Sequence, residues 1–155
     1  MITSQLHDLT MNRIIKAFWF FTLLATLATL LYTYAAIPMG SNLSLFDGQN
    51  TISREMLFNI SLAFITIGNF SLYSIARKYR KSEMPVAVFL VGWLMSFATV
   101  LNFFFMSSLT FLQLINSGEN FEYSNFGYYI YITLGLVIGW VAALPFFLLN
   151  LKNKV

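Results

Sequence analysis

The chain has 155 residues, of which 58% are hydrophobic, 10% are charged and none is cysteine, with a formal net charge of +3. A typical soluble domain carries about 25% charged residues, and a mean hydropathy of +0.71 leaves too little polar surface to face water. A soluble enzyme or nucleic-acid-binding domain is therefore excluded, and so are disulfides and thiolate metal sites.

Four long apolar segments without an internal charge organise the chain as a single all-α integral membrane domain over residues 1–155. Residues 1–12 read as a short tail. Met11, Asn12 and Arg13 look like a natural start, and in the residues before them Ile2, Leu6 and Leu9 share one helical face suited to a membrane surface. The first span is expected over 17–37, preceded by Arg13 and Lys16 and stopped by Pro38. Thr33, Tyr34 and Ala35 resemble a small-residue cleavage site, but the apolar stretch exceeds the ~7 to 15 residues of a signal-peptide core. At about 1.5 Å per residue this span covers a ~30 Å hydrocarbon layer.

The second span is expected over 56–76, with Ser53 as N-cap and Glu55 in the first turn, where a carboxylate suits the helix dipole. It ends in Arg77, Lys78, Tyr79, Arg80 and Lys81. The third opens near Pro85 after Ser82 and Glu83 and runs over 85–114, longer than a straight crossing needs, so it must tilt, kink or project. The fourth runs over 126–149, with Pro145 expected to loosen or bend its last turns.

Eight of the nine Lys and Arg residues flank the spans on one side, and Arg54 alone lies on the other. By the positive-inside rule the helices run up-down-up-down, with the N and C termini and the 77–81 loop cytoplasmic. Tyr32, Tyr34, Tyr123, Tyr128, Tyr129 and Tyr131 gather at the opposite interface as an aromatic belt. Asp47, Glu119 and Glu122 fall in the outer loops, where one of them is a candidate partner for Arg54. Arg77, Lys78, Arg80 and Lys81 are candidate contacts for anionic lipid headgroups, each worth about 1 kcal/mol near the surface.

Lipid is as apolar as leucine, so such helices associate through close packing and interhelical hydrogen bonds. Thr22, Thr26, Thr29 and Thr33 share one face of the first span. Gly127, Tyr131, Gly135, Gly139 and Ala143 step by four along the last, and Gly135 with Gly139 forms a GxxxG suited to a neighbouring helix or a homodimer. Ser61 and Gly68 lie one heptad apart on the second span, and Gly92, Ser96 and Thr99 share a face of the third. Asn59, Asn69 and Asn102 are the strongest intramembrane polar groups, and each amide costs several kcal/mol if left unpaired in hydrocarbon. Counted from the basic end at about 1.5 Å per residue, Asn59 and Asn102 lie about 27 and 25 Å up their spans. They are expected to face each other, with Asn69 near Ser96, and Thr66 and Thr99 complete a candidate polar pocket or helix glue.

The chemistry needed for catalysis is sparse. His7 is the single histidine and no span contains a carboxylate, so bis-histidine haem ligation, an HExxH zinc site and a membrane-embedded proton carrier have no residues to build them. Ser107 and Ser108 have no base within reach. No catalytic residue, cofactor or metal site is expected. In length and helix count the chain resembles the small four-helix multidrug exporters; that family depends on an embedded carboxylate, and its transport function is not carried over. Ile37, Pro38, Phe46, Asp47 and Gly48 resemble the outer loop of uncharacterised bacterial membrane proteins, a likeness that implies no activity. The function expected is that of a non-enzymatic bacterial inner-membrane protein acting as an accessory or scaffold subunit through helix and lipid contacts, with other membrane subunits or a second copy as partner. The alternative is a carrier or sensor of a small hydrophobic molecule or lipid, with a polar pocket between spans two and three.

Overall fold

The computed structural model describes residues 2–45, 50–80, 82, 84–117 and 123–152. Phe46, Asp47, Gly48, Lys81, Glu83, Glu119, Glu122 and Lys154 lie outside them. The order is α1 (Ile2–Ala36), β1 (Asn42–Leu45), β2 (Asn50–Ser53), α2 (Arg54–Tyr79), α3 (Pro85–Ile115) and α4 (Tyr123–Lys152). Four stretches, Arg13–Ala36, Arg54–Tyr79, Val86–Ile115 and Gly127–Asn150, are long and apolar enough to cross a membrane. The helices are packed together around α3, against which α1, α2 and α4 each pack more extensively than α1 does against α2.

Local sequence accounts for the helix ends. Ser53 has extended backbone and its Oγ accepts from the Met56 N–H over 3.1 Å, with Glu55 in the first turn, so α2 is capped as its sequence predicts. Pro85 opens α3, where its missing N–H leaves nothing unpaired. The first helix begins at Ile2 and not near Ala17, so residues 2–12 prolong α1 instead of forming a separate tail. Its 35 residues reach about 52 Å. Helix α4 continues through Pro145 to Lys152.

Contacts fix the relative directions of neighbouring helices. On α2 and α3, Ala76 packs in one cluster with Val91 and Met95 while Ile65 packs with Leu109, so these helices run in opposite senses. Trp93 stacks on Trp140 at 5.0 Å and Phe89 lies 5.9 Å from Phe147, which does the same for α3 and α4. Because Ala76 near the end of α2 already packs with Val91 and Met95, the start of α3 extends past α2 at the basic end. That projection accounts for the extra length of α3.

A β-hairpin joins α1 to α2, an element the sequence reading treated as loop. Asn42 pairs with Ser53, Leu43 with Ile52, Ser44 with Thr51 and Leu45 with Asn50 in an antiparallel register. The alternation sends Leu43 and Ile52 to the face that covers the bundle, where Leu43, 1% exposed, packs with Ile37 and Leu57. The approach to β1 turns at Gly40, whose φ of 76° favours glycine.

Candidate functional site: a buried amide ring, a groove and an arginine clamp

Three helices are joined at mid-length by a closed circuit of hydrogen bonds. Asn69 of α2 donates from Nδ2 to Asn102 Oδ1 of α3 over 2.8 Å and to its own helix at Ile65 O over 2.9 Å, while its Oδ1 accepts from Trp19 Nε1 of α1 at 2.8 Å. Asn102 donates in turn to Thr22 Oγ1 at 3.3 Å, and Thr22 donates to Trp19 O at 2.8 Å, closing the ring. The Thr26 hydroxyl lies 2.8 Å from Thr22 O and 3.3 Å from Asn102 O, shared between α1 and α3. Asn102 and Thr26 are fully buried and Asn69 is 3% exposed. Bonded in this way, the amides avoid the several kcal/mol that an unpaired polar group costs in an apolar medium. Amides and hydroxyls of this kind carry no charge near neutral pH, so the ring is suited to orienting helices by hydrogen bonds alone.

The pairing differs from the one the sequence suggested. Asn102 meets Asn69 and not Asn59, which is exposed on the outer surface of α2. The depth count placed α2 and α3 level at the basic end, whereas Asn102 meets α2 ten residues nearer that end than Asn59, about 15 Å. Ser96 turns to its own helix at Gly92 O and Trp93 O, and Thr99 to Met95 O, so neither joins Asn69. Between α2 and α3 the amides satisfy each other.

The described cavity lies elsewhere, between α1 and α2. About 280 Å³ of space is lined by Trp19, Leu23 and Leu27 from one helix and by Ile65, Thr66, Asn69, Phe70 and Tyr73 from the other. Trp19 and Tyr73 stack at 5.3 Å and 8° across it, and Lys16 Nζ lies 5.9 Å over the Tyr73 ring. Thr66 is exposed along its edge.

At the opposite end, Arg54 is buried to 7% exposure. Its Nη1 donates to Ile37 O at 3.0 Å, its Nη2 to Tyr34 Oη at 3.2 Å, and the guanidinium lies 4.2 Å over the Tyr34 ring. Its Nε is 3.4 Å from Glu55 Oε1, an ion pair without hydrogen-bond geometry. A cation placed on the carbonyl just past α1 complements that helix's dipole and ties the end of α1 to the start of α2. The small void beside it, lined in part by Thr33 and Phe58, holds no space for a water molecule. Asn116, just past α3, grips the hairpin: its Oδ1 accepts from Ser44 N at 2.8 Å, and its Nδ2 donates to Ser44 O at 3.2 Å and to Leu112 O at 2.8 Å.

The expected packing residues divide. Thr22, Thr26 and Thr33 are buried toward the bundle, and Thr29 bonds back to Ala25 O. Gly68 packs closely, since a Cβ there would lie 3.3 Å from Leu101 Cδ2. A Cβ added at Gly127, Gly135 or Gly139 would meet nothing within 4 Å among the described residues, so the GxxxG of α4 makes no close approach to them. Arg77, Lys78 and Arg80 are exposed at the basic end, and Tyr32, Tyr128, Tyr129 and Tyr131 are exposed at the other. Sequence reasoning passed over Trp19 and Asn116, and took Arg54 as a topology marker and an ion-pair candidate without foreseeing its contacts to Ile37 O and Tyr34. The available signal was position: each is a polar-tipped side chain within a turn or two of a predicted span end. No protein-family model matches this chain, and neither a curated protein nor a solved structure does.

Proposed function

We propose that the chain is a multi-pass protein of the bacterial inner membrane, its helices crossing up-down-up-down with both termini cytoplasmic, and that it acts without catalysis as an accessory or scaffold subunit. The observation that carries this reading is the state of α4. Its stretch Gly127–Asn150 has no residue buried within the chain, and both glycines of its GxxxG stand open. Small residues at that spacing let another backbone approach closely in lipid. Meanwhile α1, α2 and α3 form a core held by the amide ring, a rigid base from which α4 presents that face.

The test is purification of the tagged protein in mild detergent, with native mass and identification of whatever is retained. A stoichiometric membrane subunit or a homodimer lost on Gly135→Leu supports the proposal. A lone monomer unaffected by that change overturns it. The second reading, a carrier or sensor of a small hydrophobic molecule or lipid, draws support from the groove between α1 and α2, whereas between α2 and α3 Asn69 and Asn102 bond to each other. Reproducible recovery of one bound apolar molecule with the lone monomer favours it.

A further inference from the structure

The groove between α1 and α2 is apolar along its length and cationic at one end. On α1, Arg13, Lys16, Trp19, Leu23 and Leu27 follow at steps of three and four; on α2, Thr66, Phe70, Tyr73 and Arg77 do the same toward the same end. Residues at that spacing share a helix face, so each helix lays one stripe along the groove, with cations beyond the last ring. Lys16 Nζ over the ring of Tyr73 sets an ammonium at the mouth, and Arg13 and Arg77 are exposed beside it. Among the described residues none of the three cations is in an ion pair, and the ion pair of Glu55 lies at the far end of α2.

The length is informative too. From Tyr73 to Ile65 the lined groove spans eight residues, about 12 Å, which is most of the ~15 Å that one leaflet contributes to a ~30 Å hydrocarbon core. An acyl chain moving from bulk lipid into such a groove gains little from hydrophobic burial, so selection must come from what the cations hold. Charge complementarity therefore names the occupant.

We propose that the groove holds one acyl chain of an anionic phospholipid from the leaflet at the basic end, with the headgroup phosphate between Lys16 and Arg77. Trp19 and Tyr73 form the floor where glycerol backbone meets chain, a depth at which amphipathic rings are favoured. The inference rests on the membrane reading and holds whether the lipid is a structural tenant or a cargo.

The test uses the full chain in mild detergent, with native mass spectrometry after equal additions of phosphatidylglycerol and phosphatidylcholine. The wild type is expected to retain one phosphatidylglycerol in preference to phosphatidylcholine. Each cation near a surface is worth about fivefold in affinity, so K16Q/R77Q should weaken retention roughly 30-fold and erase the preference. Leu23→Trp fills the groove and keeps every charge, so it should lose the lipid. Retention at the wild-type level by Leu23→Trp overturns the proposal in favour of a flat basic surface, and full retention by K16Q/R77Q overturns it as well. Stripping of the preference by millimolar inorganic phosphate reassigns the mouth to a free anion, and crosslinking of the groove to a co-purifying protein reassigns it to a partner helix; either result sinks the lipid site. If Leu23→Trp fails to fold by circular dichroism, the milder Leu27→Phe and crosslinking of a photoreactive acyl chain to Phe70 decide between the same outcomes. A chain that stays soluble without detergent fails the membrane reading itself, a result distinct from any of these.

Discussion

Asn69 and Asn102 form the one side-chain amide pair bridging α2 and α3 among the described residues, and each also binds α1, Asn69 through Trp19 and Asn102 through Thr22. The pair is therefore the junction of three helices. Truncating either residue leaves the other amide short of a partner in an apolar interior. A double-mutant cycle of Asn69→Ala and Asn102→Ala, measured by steric trapping in bicelles, should give a coupling of about 0.6 to 2 kcal/mol. Asn59→Ala, on the exposed face of α2, should stay within about 0.5 kcal/mol of wild type. A larger effect at Asn59 than at Asn102 would contradict the register between the two helices.

Arg54 fastens the end of α1 to the start of α2 by two hydrogen bonds and a ring contact. Hydrogen bonds to charged groups contribute about 1.5 to 3 kcal/mol, and the planar guanidinium can make both bonds and stack at once. Lysine keeps the charge but not the fork. Arg54→Lys should therefore destabilise by an amount close to that of Arg54→Gln, about 1 to 3 kcal/mol, with amide exchange accelerated in the β-hairpin before the core of α3. Full rescue by lysine would show that charge alone matters at this site.

Much of the architecture was legible because hydrocarbon thickness sets helix length. Runs of uncharged residues broken by Pro38, by Arg77 and Lys78, and by Asn116 had to become four helices. Register was not legible, because nothing local to α2 or α3 says which of their turns are level; Asn59 was matched to Asn102 on that account. The hairpin was legible in principle: Asn42-Leu43-Ser44-Leu45 and Asn50-Thr51-Ile52-Ser53 alternate around an Asp-Gly pair, the pattern of two short strands and a turn. Positive-inside counting treated Arg54 as a topology marker and gave no hint that Tyr34, in the last turn of α1, would provide it a ring. The stripe of α4 was legible as a contact face, yet a stripe cannot say which helix covers it.

Asn116 offers a separable test of the hairpin. Its side chain completes both backbone groups of Ser44 as a neighbouring strand would, and these bonds hold β1 to the end of α3. Asn116→Asp keeps the acceptor and removes the donors, so the Ser44 N–H should stay protected while the carbonyl side loosens. Asn116→Ala should remove both and speed exchange at the Ser44 amide by about tenfold, the equivalent of about 1.4 kcal/mol. Bundle stability should move little in either variant, because Leu43 remains packed against Ile37 and Leu57. Unchanged exchange at Ser44 in Asn116→Ala would mean that the strand pairing with β2 alone orders this segment.

Two glycine positions separate folding from assembly. At Gly68 a Cβ would already lie 3.3 Å from Leu101 Cδ2, so alanine requires a shift of a few tenths of an ångström and leucine forces α2 away from α3. Gly68→Leu should cost about 1 to 3 kcal/mol and disturb the Asn69–Asn102 bond one residue away. At Gly135 a side chain meets open space, and replacing glycine within a helix removes an entropic penalty of up to about 1 kcal/mol. Gly135→Leu should therefore leave the isolated chain as stable as wild type or slightly more so, while any complex formed through that face falls apart in native mass measurements. The opposite pattern, a destabilised monomer with assembly intact, would place α4 against its own bundle and leave the proposed partner surface without a physical basis.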